Sequence, residues 1–131
     1  MSWQGAAWVA VGGALGSLLR WVVLVAAADR LGLTFPWGTF AVNVAGSFAI
    51  GLVAQWAAGG HYGIGPTARL FLATGILGGF TTFSTFSLDG LNLLREGGPA
   101  PAILYLGGSV VLGLAACWAG VAVARLLVPT G

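Results

Sequence analysis

The chain has 131 residues, 58% of them hydrophobic and only 6% charged, with a formal net charge of +2 and a mean hydropathy of +0.96. A soluble domain carries about 25% charged residues to cover its surface, so this composition excludes a soluble protein and specifies an integral membrane protein of one domain, residues 1–131. The charge, five arginines and no lysine against three acids, is too small for a nucleic-acid surface, and the single Cys117 can form no intrachain disulfide.

The N-terminal run MSWQGAAWVAVGG has no basic residue ahead of its apolar stretch, so the first segment, about 5–28, reads as a retained helix rather than a signal peptide. Gly12, Gly16 and Arg20 fall four apart on one helical face. Small residues at that spacing line contacts between membrane helices, and the Gly12/Gly16 pair is read that way. The interruption DRLGLTFP (29–36) carries charge, Gly and Pro. The second segment, about 37–58, places Thr39, Asn43, Ser47 and Gln55 at multiples of four, with Gly51 in the gap. Such a line can be interhelical glue, but an amide at mid-membrane is rare and its two N–H donors must point at something.

The interruption GGHYGIGP (59–66) holds His61, the only histidine, expected to be solvated, and the interruption REGGPAP (95–101) carries charge and two prolines. They bound a third segment, about 67–94, and a fourth, about 102–127, in which Tyr105, Ser109 and Gly113 repeat the polar line more weakly and Cys117 reads as a small core residue. Each segment meets the roughly 20-residue requirement of a spanning helix. Trp3, Trp8, Trp37 and Trp56 lie near segment ends, where interfacial aromatics belong.

Four spans put both termini on one side, and the arginines then give no orientation. Arg69 and Arg125 fall to one face, Arg30 and Arg95 to the other, and Arg20 adds at most one more to the second. The positive-inside rule therefore barely discriminates. A chain that inserts both ways can form an antiparallel homodimer with a two-fold axis in the membrane plane; a single orientation set by weak bias remains the alternative.

The third segment contains GGFTTFSTFSLDG (78–90), three phenylalanines alternating with five hydroxyl residues. Glycines cost about 1 kcal/mol each in a helix relative to Ala, and threonine hydroxyls compete for backbone carbonyls, so a break is expected near 78–82. A break frees carbonyls at mid-membrane, where something must satisfy them. Phenyl rings have electropositive edges, and rings beside hydroxyls make an environment for a small anion. No catalytic or metal constellation is visible: Asp29 and Glu96 are expected in loops, Asp89 toward a segment end, and no acid sits mid-segment. A cation path or proton relay normally needs such carboxylates, so the donors favour an anion or a neutral polar solute, and the chain is not read as an enzyme.

GGFTTFSTFS, with NVAGSFAIG (43–51), GGALGSLLRW (12–21) and the four-helix plan, resembles the Fluc, or CrcB-type, family of fluoride channels over nearly the whole chain. The resemblance implies an all-α membrane protein with a broken third helix, working as an antiparallel dual-topology homodimer in the cell (inner or plasma) membrane. It implies passive, fluoride-specific export that lowers cellular fluoride, two fluoride pores per dimer, and a structural sodium ion at the dimer centre that is not transported. By motif position the sodium would be held by the main-chain carbonyls of Gly78 and Thr81, and the pore phenylalanines would be Phe83 and Phe86. The pore asparagine would be Asn43 and the wide-end arginine Arg20. The hydroxyl track would run through Thr39, Tyr105 and Ser109, with Thr82 and Ser84 adding donors. Gly113 stands where some members carry a further hydroxyl, and Phe80 where many carry an aliphatic residue. Two other readings stay open: a small multidrug-type exporter, which needs an acid in the first segment where there is none, and a non-transporting scaffold subunit, which leaves the Asn43 line without a purpose.

Overall fold

The computed structural model describes residues 2–59 and 63–127. Among them, four helical stretches are long and apolar enough to cross a membrane: Trp3–Leu31, Trp37–Ala58, Pro66–Gly97 and Pro99–Leu127. Three of the four run a few residues past the ends expected from sequence. Asp29 therefore lies in the last turn of the first helix and Glu96 in the helical end of the third stretch, rather than in loops. His61 lies outside the described residues.

Helix α1, Trp3–Leu31, starts where the Ser2 hydroxyl accepts from Gly5 N–H at 3.1 Å, satisfying one of the free amides of the first turn. It stops at Gly32, whose φ of 80° suits a residue without a Cβ. Helix α2 is Trp37–Ala58, directly after Pro36. The third stretch divides into α3, residues 66–80, and α4, residues 83–97. Pro66 opens α3 at a position where its missing N–H costs nothing, Leu70–Leu77 winds as a π-helix, and Gly78–Phe80 returns to α-helix. Thr81 and Thr82 then take extended dihedrals (φ −87°, ψ 161° and φ −153°, ψ 120°) before Phe83 starts α4. Helix α4 ends at Gly98, with φ 86°, and α5 is Pro99–Leu127.

Glycines set the packing. A Cβ on Gly16 would run into the Ile76 carbonyl, one on Gly12 would lie 2.7 Å from the Phe71 carbonyl oxygen, and one on Gly79 would run into the Gly13 carbonyl. The backbones of α1 and α3 therefore touch, as small-residue spacing allows between membrane helices. Gly51 and Gly120 do the same between α2 and α5, against the Cys117 and Phe48 carbonyls. Cys117 itself is half-buried rather than a core residue. The large apolar side chains Leu18, Leu19, Val111 and Leu114 face outward, whereas Thr39, Thr82, Tyr105 and Ser109 are buried. Apolar outside with polar groups inside is the arrangement a lipid solvent favours.

Candidate functional site: the extended pair in the third stretch

The two extended residues are held from two other helices. Asn43 of α2 pairs with Thr82 twice: Thr82 N–H donates to Asn43 Oδ1 at 2.9 Å, and Asn43 Nδ2 donates to the Thr82 carbonyl at 3.1 Å. Arg20 of α1 reaches in with Nη1 to the Thr81 carbonyl at 3.4 Å. The Thr81 N–H and hydroxyl both donate to the Leu77 carbonyl, at 3.0 and 2.9 Å. In a continuous helix Thr82 N–H would donate to Gly78; with that donor turned to Asn43, the exposed Gly78 loses its regular partner. Thr82 also caps α4, its hydroxyl accepting from Thr85 N–H at 3.3 Å and lying 3.1 Å from Thr85 Oγ1 and 3.4 Å from Ser84 Oγ.

A cleft of about 260 Å³ opens on one side of this pair, lined by Asn43, Thr81, Thr82, Phe83, Phe86 and Ser109. Ser109 Oγ is buried there with no hydrogen-bond partner among the described residues. The Phe83 and Phe86 ring centroids are 5.7 Å apart, and Phe86 continues to Tyr105 at 5.4 Å. Tyr105 is fully buried, with Phe35 edge-on at 5.6 Å, and its hydroxyl donates to Asp89 Oδ2 at 3.4 Å. Asp89 and Thr85 share a second cleft, about 370 Å³, with Thr39. A third, about 260 Å³, is bordered by Gly78, Thr81, Asn43 and Ser47.

Of the residues singled out from sequence, Asn43, Thr82, Phe83, Phe86 and Ser109 meet around one cleft, with Ser84 at its Thr82 edge and Tyr105 joined through Phe86. Thr39 belongs to the neighbouring cleft, and Arg20 meets the Thr81 carbonyl. Gln55 leaves the polar line of α2 and accepts from Arg125 Nε at 3.3 Å. A Cβ on Gly113 would lie 3.4 Å from Ser47 Oγ, so a hydroxyl from α2 stands beside the position where α5 lacks one. Asp89 and Thr85 were not singled out. Their signal was spacing: Thr82, Thr85 and Asp89 sit three and four apart, one above another on the same helical face.

Residues 7–121 match the family described as CrcB-like protein, Camphor Resistance (CrcB). The chain is 53% identical over 117 residues to the fluoride-specific ion channel FluC of Hyphomonas neptunium, covering 89% of this chain and 92% of that one. It is 46% identical over 121 residues to FluC of Acidobacterium capsulatum, covering 92% and 96%, and 48% identical over 120 residues to FluC of Rhizobium meliloti, covering 92% and 95%. With four membrane-crossing helices and a match of this extent, the chain belongs to the CrcB-like family, a family of multi-pass membrane ion channels and not of enzymes.

Proposed function

We propose that the protein is a fluoride-specific channel that lets fluoride leave the cell passively across the inner (plasma) membrane, as an antiparallel dual-topology homodimer. The relatives' names support the ion. The observation that carries the reading is Ser109: a buried hydroxyl without a partner among the described residues, at a cleft whose other members are an amide, two threonines, two phenyl rings and Val110, with no acid among them. Groups that donate hydrogen bonds or present electropositive ring edges suit a small anion. Fluoride holds its water strongly, and a pore must replace that water with closely spaced donors. Ser109, Ser84 and the remaining N–H of Asn43 supply them, with Phe83 and Phe86 excluding larger anions. The Thr82 hydroxyl, which donates to Thr85 Oγ1 at 3.1 Å, joins them only by turning away from that partner. Past Phe86, an anion would compete with the Asp89 carboxylate for the Tyr105 hydroxyl, with Thr39 beside it.

Phe83 is 79% exposed in the single chain, although the cleft it borders is partly polar. A second copy laid against this face would close the cleft, and the even arginine count suits a copy inserted the other way up. In this reading Thr81 and Thr82 form a break in the third span at mid-membrane. The residues there fit a sodium ion through main-chain oxygens: the Gly78 carbonyl has lost its helical donor, and the Thr81 carbonyl lies outside the regular helices with a lone pair left beside its bond from Arg20. Hard oxygen ligands of this kind suit a hard cation. A bound sodium would supply positive charge for these carbonyls and tie two copies together, while Arg20 holds the Thr81 carbonyl in place.

Fluoride-electrode efflux from proteoliposomes tests the reading. The expected result is fluoride flux that needs neither nucleotide nor proton gradient, with no matching chloride flux. No flux would favour a scaffold subunit, and proton-coupled cation movement an exporter. Replacing sodium by a larger cation should lower flux and dimer stability once the bound ion has escaped; flux and dimer stability unchanged after verified sodium removal would mean that the centre needs no metal.

A further inference from the structure

We infer that Asn43 is a positioning residue whose side-chain amide takes the place of the backbone partners Thr82 gives up, and so holds the extended pair open. The inference rests on the channel reading above and changes what Asn43 does within it. From sequence, its two N–H donors were expected only to point at something, and the resemblance implied a place in the pore. Instead one donor and the oxygen are committed to the Thr82 main chain, at 3.1 and 2.9 Å.

The argument is one of accounting. At φ −153° and ψ 120° neither polar group of Thr82 follows a helical path. In hydrocarbon an unsatisfied amide costs several kcal/mol, which would drive Thr82 back into a helix where Gly78 and Phe86 would take its N–H and carbonyl. A primary amide carries the same donor–acceptor pair as a peptide, and the two bonds here reproduce the reciprocal exchange between facing residues of antiparallel strands. Thr82 N–H can only donate and its carbonyl only accept, so the orientation of the Asn43 amide is fixed. The Asn43 main-chain carbonyl accepts from Ser47 Oγ at 2.7 Å within α2, which leaves its side-chain amide for Thr82. Neither Leu, with no polar atom, nor Ser, too short to reach both groups, can replace it. The pair also sets Thr82 as the cap of α4 and thereby the direction of Phe83 and Phe86.

The test uses the full-length protein with isotope-labelled threonine in lipid nanodiscs. In the unmodified chain the Thr82 Cα and Cβ shifts should be extended in character and its amide protected from exchange. In Asn43→Leu and, more mildly, Asn43→Ser, those shifts should move toward helical values and the Thr82 amide should exchange at least about tenfold faster, matching the loss of about 1.4 kcal/mol. Fluoride flux should fall in parallel, while unchanged Thr67 and Thr74 signals show that the fold survives. Flux lost with Thr82 shifts and protection unchanged would overturn the inference and leave Asn43 as a direct anion donor. Thr82 shifts moved with flux intact would overturn it as well. Absence of flux from the unmodified protein is a failure of the channel reading, seen before any variant is made and separate from the Thr82 signature.

Discussion

Arg20 Nη1 and the Thr81 carbonyl oxygen lie 3.4 Å apart across 61 residues of sequence. The contact brings a guanidinium from the middle of α1 to the extended Thr81–Thr82 pair of the third stretch. The approach depends on glycine, because Gly16, one turn earlier, lets α1 settle on the Ile76 carbonyl. A hydrogen bond to a charged group is worth about 1.5–3 kcal/mol, and at this length the lower end applies. Arg20→Leu should therefore lower fluoride flux by about tenfold, with Arg20→Lys in between because it keeps charge but loses the planar fork. Proteoliposome efflux measures both, and equal flux in all three proteins would show that the contact is incidental.

The two phenylalanines should separate by assay. Phe86 packs on both Phe83 and Tyr105, whereas Phe83 is largely exposed in the single chain. Each aromatic pair contributes about 0.5–1.5 kcal/mol beyond its buried area. Phe86→Ile should lower both flux and stability, the latter by about 1 kcal/mol or more, while Phe83→Ile should lower flux with a smaller stability loss. Efflux and detergent melting curves read the two effects, and normal flux in both would rule out this pore lining.

Tyr105→Phe should keep the ring contacts with Phe86 and Phe35 while leaving Asp89 without its donor. A stability loss of about 1 kcal/mol and several-fold slower flux are expected. Combined with Asp89→Asn the effects should not add, since the two residues share one bond. Full additivity in the double variant would show that the bond does not couple them.

Gly16→Ala and Gly13→Ala, three residues apart, should move stability in opposite directions. The new Cβ of the first meets the Ile76 backbone, and that of the second meets nothing within 4 Å. Overpacking costs about 1–3 kcal/mol, while removing an unneeded helical glycine gains about 0.5–1 kcal/mol. Thermal or SDS unfolding in detergent decides it, and equal effects would mean that α1 and α3 are not in backbone contact.

Single cysteines at Thr34 and at Gly65, each in a Cys117→Ala background, should be modified from both sides of the membrane if the chain inserts in both orientations. Added lysines on one face should then fix the orientation and abolish flux unless an oppositely biased copy is co-expressed. One-sided labelling at both positions would end the dual-topology proposal.

The sequence by itself determined the class and the segments. So apolar a chain with so few charges has one suitable solvent for its surface, lipid, and hydropathy placed four segments within a few residues of their helices because length and polarity are local properties. The threonine chemistry was legible too: Thr81 does bond back to Leu77, as a hydroxyl close in sequence to that carbonyl can. What a side chain meets across 39 or 61 residues was not legible. Asn43 on its helix shows only an amide that needs partners, and whether those are a solute or the Thr82 main chain depends on how α2 lies against the third stretch. Asp89 looked like a helix-end acid until the approach of α5 brought Tyr105 to it. Glycine contacts fix those approaches, and which carbonyl each glycine admits is a matter of packing between helices that no single segment encodes.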